Sequence, residues 1–182
     1  MNRSVGMQLP GGASAAEIAE VEALFGYPFP EPLRQLYAFH DGEFSWGSKQ
    51  TVGLFCGYEF LSLAHVREVL RRFKAIQDHN QPDGYEYAST PAGAVRDSYY
   101  ERGWLPIAGY FSGNHIGIDM TPGPNGEMGQ VINFGPDDFV HSQLAPDFES
   151  FLRLLVERYR QRRWHPNFEG DDWSLYNEIS PP

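Results

Sequence analysis

Six histidines, one cysteine, a single candidate serine and a run of spaced glycines are the residues of this 182-residue chain whose types could do chemistry. A serine nucleophile needs Gly-x-Ser-x-Gly on a sharp turn between a strand and a helix. The nearest stretch, Gly109-Tyr110-Phe111-Ser112-Gly113, has the wrong spacing and leads into a strand pattern. Gly123, Gly126 and Gly129 recur every three residues, but a phosphate cradle works by presenting N–H groups at the start of a following helix. A strand pattern follows here too, so a turn accounts for the glycines. His115 and Asp119 share one face of a strand; at about 3.3 Å per residue they stand about 13 Å apart, too far to ligate one ion at about 2 Å each. His40, His65, His79, His141 and His165 show no ligand spacing and read as surface or hydrogen-bonded histidines. Cys56, beside Phe55 in a Gly-flanked apolar segment, reads as a small core residue. No catalytic, metal or cofactor-binding residue is assigned, and the chain is expected not to be an enzyme.

Aromatic residues placed beside acidic ones are the remaining signal. Tyr85 and Tyr87 lie in a long polar segment, Tyr99 and Tyr100 precede Trp104, and Asp171 and Asp172 precede Trp173. Exposed Tyr and Trp make effective interface anchors, so Tyr85, Tyr87, Tyr99, Tyr100, Asp171 and Asp172 are the candidate partner-binding residues. The competing reading is that most of these aromatics simply pack in the core or at its rim.

Composition supports a protein partner. Apolar residues make up 41% and aromatics 15% of the chain, which excludes a disordered composition. A formal charge of -10 opposes general attraction to nucleic acid or to an anionic membrane and suits a basic protein partner, although it also serves plain solubility. One cysteine allows no internal disulfide, and the first residues lack the apolar core of a secretory signal, so the expected location is the cytoplasm.

These residues must be positioned by a sheet and its helices. Ser14 with Glu17 forms a capping box before Ile18, Val21, Leu24 and Phe25, and Gly26 stops that helix. Pro32 opens a second helix carrying Leu33, Leu36 and Tyr37, which Asp41-Gly42 ends. Val52 to Phe55 and Phe60-Leu61 are short strand candidates, and Ser62 caps a third helix with Val66, Val69, Leu70, Phe73 and Ile76 on one stripe. Residues 78–93 read as a long loop and Ala94 to Tyr100 as a strand. Trp104 to Phe134 then forms an antiparallel meander in which Ile116, Ile118 and Met120 face inward and His115, Gly117 and Asp119 face out, as on a half-buried strand. Phe139 to Leu144 is a last strand, and Asp147 caps a helix bearing Phe148, Phe151, Leu152, Leu155 and Tyr159. The expected fold is α+β, a central, mainly antiparallel sheet flanked by helices. The expected division is a polar leader over 1–13, one domain over 14–160 and an acidic tail over 161–182.

Asp41-Gly42 after the second helix, Trp104-Leu105-Pro106-Ile107, Gly113-Asn114, Asp119, Pro122-Gly123-Pro124, Gly129-Gln130-Val131 and Leu144-Ala145-Pro146 follow one another along the chain. In that order these separated motifs resemble the SUKH superfamily, in the branch named for fungal cell-wall assembly regulators. The resemblance runs from about Ser14 to Tyr159; the 78–93 segment and the acidic tail depart from it. It implies the same α+β fold, no established catalytic residues, and a structural role for Asp41, Gly42, Trp104, Pro106, Gly113, Asn114, Asp119, Gly129 and Pro146. It also implies function by protein binding. Bacterial members look like immunity proteins that neutralise polymorphic toxins, many of them nucleases, while fungal relatives act as regulatory scaffolds. The first expectation is therefore an immunity protein against a basic toxin, with a regulatory scaffold as the alternative and a small-ligand binder as a weaker third.

Overall fold

A computed structural model describes residues 9–44, 53–55, 57–78 and 86–160. The capping box forms as its spacing requires: Ser14 Oγ accepts from Glu17 N at 3.3 Å, and Glu17 Oε2 accepts from Ser14 N at 2.8 Å. Helix α1 (Ala15–Phe25) follows, and Gly26, at φ +91°, closes it in the left-handed conformation. Helix α2 (Glu31–Phe39) carries Pro32 in its first turn, and Glu22 ties the two helices by accepting from Phe29 N and pairing with Arg34. Asp41 Oδ1 accepts from Leu63 N at 2.7 Å and Ser62 Oγ from His65 N, so both residues satisfy the first turn of α3 (Leu63–Asp78). A Cβ at Gly42 would lie 2.4 Å from Ser62 N, which explains why a glycine follows Asp41.

Six strands make one sheet: β1 (Glu59–Phe60), β2 (Ala88–Thr90), β3 (Trp104–Gly109), β4 (His115–Asp119), β5 (Gln130–Phe134) and β6 (Val140–Ala145), in the order β1-β3-β4-β5-β6-β2. Every neighbouring pair is antiparallel except β2 with β6. Pro106, which has no N–H to give a ladder, sits at the register shift of β3 against β4. Asn114 joins two turns, accepting from Asp137 N at 3.1 Å, and helix α4 (Phe148–Arg160) begins where Asp147 Oδ1 accepts from Ser150 N. The α+β architecture expected from the sequence is the one observed.

Three local expectations are corrected. The Ala94 to Tyr100 segment is not a strand but a series of turns and bends. Its backbone bonds go to another turn, with Gly123 N donating to Ala94 O and Asn125 N to Gly93 O, so no ladder is left for it. The supposed loop of 78–93 contains β2, whose Ala-Ser-Thr sequence shows no apolar alternation to betray it. Phe55 forms only an isolated bridge with Tyr58.

The meander is also not half-buried. Ile116, Ile118, Leu105, Ile107 and Val131 meet α1, α2, α3 and α4 in the larger core. The opposite face, where solvent was expected over His115, Gly117 and Asp119, is covered by a second core of Phe73, Ala94, Val95, Tyr100, Trp104, Ile132 and Phe134. Gly117 is small because a Cβ there would stand 2.4 Å from Leu105 O and 2.6 Å from the Phe134 ring. The turns of 91–100 therefore act as a strap across the sheet.

Candidate functional site

Under the strap lies a polar network whose centre, Asp119 and Gln130, is wholly buried. Gln130 Nε2 donates to Asp119 Oδ2 at 2.9 Å and to Ala94 O at 2.8 Å, and Asp119 Oδ1 accepts from Thr121 N at 2.8 Å. Gln143 Nε2 and Glu127 N both donate to Gln130 Oε1. Burial raises the Asp119 pKa to about 6, opposed by the donors Gln130 and Thr121. The indole of Trp104, in register with Asp119 across β3, pulls in the same direction as those donors without meeting hydrogen-bond geometry. His115 is stacked on Phe134 at 5.6 Å and edge-on to Phe73 at 5.4 Å; burial, then the Arg72 charge, pushes it down to about 3. A neutral imidazole walled by rings and a carboxylate already held by its neighbours are spacers of a core.

A second constellation reaches the surface. Trp104 meets His141 edge-on at 5.1 Å, and Tyr87 stacks on the same imidazole at 5.4 Å and 5°. Tyr87 then stacks on Phe139 at 6.0 Å and leans on Tyr99 at 6.3 Å. The stack ends at the β2 edge of the sheet, where Phe139 and Val140 are 43% and 51% exposed. Burial raises the Tyr99 pKa, with Arg72 lowering it and Asp137 raising it less strongly, which places one cation and one anion beside the rings. Apolar area, phenol hydroxyls and a charge of each sign in one place suit recognition of another protein.

The residues singled out in the sequence separate into groups. Tyr87 and Tyr99 come together on this surface, half-buried. Tyr100 does not: it is 2% exposed, stacks on Phe73 at 4.1 Å and donates its hydroxyl to Trp104 O, so it is a core residue. Tyr85, Asp171, Asp172 and Cys56 lie outside the described residues. Asp41, Gly42, Trp104, Pro106, Asn114 and Asp119 hold the packing or caps described above. Gly113 and Gly129 take φ of +95° and +90° at turns, and Pro146 is exposed just ahead of the Asp147 cap. Sequence reading missed Phe139, Val140 and Glu43. Phe139 and Val140 stand at the start of β6, and nothing in their apolar types told that they would be exposed. Glu43 gave no signal either: its carboxylate, 5% exposed as a residue, accepts from the backbone N–H groups of Gly53, Leu54 and Phe60 across a loop.

The model of the SMI1/KNR4 family (SUKH-1) matches residues 12–154, which contain the sheet and all but the end of α4. This chain belongs to that family. It is 30% identical over 185 residues to a cell wall biosynthesis/cell cycle regulator of Schizosaccharomyces pombe, a match covering 96% of this chain and 36% of the relative. A cell wall assembly regulator of Saccharomyces cerevisiae is 25% identical over 187 residues, covering 86% of this chain and 37% of the relative. A glucan synthesis regulatory protein of Neurospora crassa is 27% identical over 202 residues, covering 92% and 37%. The SMI1/KNR4 chain described here thus spans little more than a third of the length of these relatives, which are named as regulators and not as enzymes. Among its described residues no helix is long and apolar enough to cross a membrane, and no group of three or more His, Cys, Asp or Glu could hold a metal ion.

Proposed function

We propose that this SMI1/KNR4 chain is a non-enzymatic, cytoplasmic regulatory module that acts by binding other proteins, in the manner of a scaffold in cell-wall synthesis or its signalling. The observation that carries the reading is the aromatic surface of Tyr87, Tyr99, Phe139 and Val140 at the β2 edge, on a chain whose relatives are named regulators. The immunity function expected first from the sequence gives way to its alternative, because the relatives' names support regulation. Its remaining support is the acidic charge, which any basic partner would share.

Affinity capture from native cells tests the proposal. The wild-type chain recovers endogenous envelope-synthesis or signalling proteins, and the Tyr99→Ala, Phe139→Ser double variant recovers them at least about tenfold less, the loss expected for removing an interface anchor. A wild-type chain that returns one basic toxin would restore the immunity reading, and undiminished recovery by the double variant would move the interface elsewhere.

A further inference from the structure

A groove of about 210 Å³ opens between α1 and α3, closed on its third side by Tyr100 and Arg102. Its apolar wall is Leu24, Phe25 and Leu70, and its polar rim is Lys74 and Arg102. It falls below the roughly 300–1,000 Å³ of small-molecule pockets, which leaves room for one large side chain. Leu24, in that wall, is 41% exposed.

The rim is a basic island on a protein of formal charge -10. Arg67 reaches across to Glu20 of α1 at 3.0 Å, which fixes the side of α3 that faces α1, and Arg71 and Lys74 follow at i+4 and i+7 on that side. Asp78 is shared between Lys74 at 2.7 Å and Arg102 at 3.1 Å, so two cations have one carboxylate between them. Arg71 has no acidic partner among the described residues.

The segment of this chain that matches such a groove in kind is its own tail. After Arg163 no Lys or Arg occurs, and Phe168-Glu169-Gly170-Asp171-Asp172-Trp173 places three carboxylates between two large aromatic rings. Trp173 lies 13 residues beyond the end of α4 at Arg160. An extended chain covers about 45 Å in that length, against a radius of gyration of about 15 Å for a domain of this size, so reach does not limit it. The family match stops at residue 154, but the similarity to the fission-yeast regulator covers 96% of the chain and so runs past that point.

We propose that the α1–α3 groove is a docking site for acidic aromatic segments, and that this chain's own 168–173 segment occupies it, with one ring against Leu24, Phe25 and Leu70 and the carboxylates over Arg71, Lys74 and Arg102. The contact would hold the tail on the domain and would be displaced by a partner segment of the same chemistry. Its test reads the tail and not partner capture, so this contact and the β2-edge surface can each fail alone.

Amide hydrogen exchange on the full chain tests it. At low salt the amides from Glu169 to Tyr176 exchange at least about tenfold more slowly than unstructured ones, and at about 1 M salt, where the Debye length falls to about 3 Å, that protection is lost. Lys74 and Arg102 are 61% and 71% exposed, so the double variant Lys74→Glu, Arg102→Glu retains its fold and releases the tail. Adding Asp171→Lys and Asp172→Lys to that variant restores the protection. A tail unprotected at low salt overturns the proposal, as does protection indifferent to the Lys74 and Arg102 reversals. Protection that grows with protein concentration also overturns it, assigning the groove to a second copy.

Discussion

Gln130 Nε2 lies 2.9 Å from Asp119 Oδ2, and both residues are wholly buried on neighbouring strands β4 and β5. The same amide reaches Ala94 O, so one side chain fastens a carboxylate to the strap that covers it. Because burial raises the folded pKa of Asp119 from 3.8 to about 6, the folded state takes up a proton more readily than the unfolded one. The resulting stabilisation is complete below about pH 4 and is lost as pH rises through about 6, and between pH 7.5 and 4.5 it is worth about 2 kcal/mol. Urea midpoints of wild type and Asp119→Asn at those two pH values check this. The difference in stability, wild type minus variant, should move in favour of wild type by about 2 kcal/mol at the lower pH, and a constant difference would refute the assignment.

His115 carries the opposite sign. Its folded pKa is depressed from 6.5 to about 3, so the stability it contributes is present above about pH 6.5 and falls as the unfolded chain takes up the proton between there and pH 3. From pH 7.5 to 4.5 the loss is about 3 kcal/mol, larger than the gain of about 2 kcal/mol from Asp119 over the same interval. His115→Phe, which keeps a ring against Phe73 and Phe134, should therefore become more stable relative to wild type on acidification over that interval. Thermal melts across the range would show the crossing, and parallel curves would rule it out.

How much of this could be read from residues alone depends on where each residue's partners lie in the chain. The Ser14-Glu17 box, the Gly26 stop and the meander alternation involve neighbours within a few positions, and they stand where the spacing puts them. Ile116, Ile118 and Met120 revealed one buried face of β4, but nothing local tells that His115, Gly117 and Asp119 are buried too. Their cover comes from Phe73, which lies over 40 residues upstream, and from a strap that sequence patterning mistook for a strand. Tyr99 and Tyr100 are adjacent and chemically identical, yet one joins the surface cluster and the other the core. Only the path of the strap decides that.

Glu43 illustrates a distant partnership with a measurable worth. Its two carboxylate oxygens accept from Gly53, Leu54 and Phe60 at 3.1, 2.8 and 2.8 Å, closing the loop between α2 and β1. Glu43→Ala leaves three backbone donors without that acceptor in a largely enclosed site and should cost about 2–4 kcal/mol, while Glu43→Gln, which keeps one acceptor oxygen, should cost about half as much. Denaturant unfolding with an unchanged m-value would register both losses. Equal stability of Glu43→Ala and wild type would mean that the loop holds without the carboxylate.

The Tyr99 and Tyr100 pair separates binding from folding in a single comparison. Tyr100→Ala empties a space between Phe73, Phe134 and Trp104 and removes the hydroxyl bond to Trp104 O, so it should destabilise by about 3–5 kcal/mol. Tyr99→Ala, at the half-buried rim beside Tyr87, should shift stability by no more than about 1 kcal/mol. If the β2 edge is the partner surface, Tyr99→Ala weakens capture of partners by at least about tenfold while its melting curve stays near that of wild type. Tyr100→Ala lowers capture only in proportion to the unfolded fraction, so assays well below its melting temperature should restore it. A Tyr99 variant that binds as wild type does, beside a Tyr100 variant that is folded and fails to bind, would reverse the two roles and place the interface on the strap's inner side.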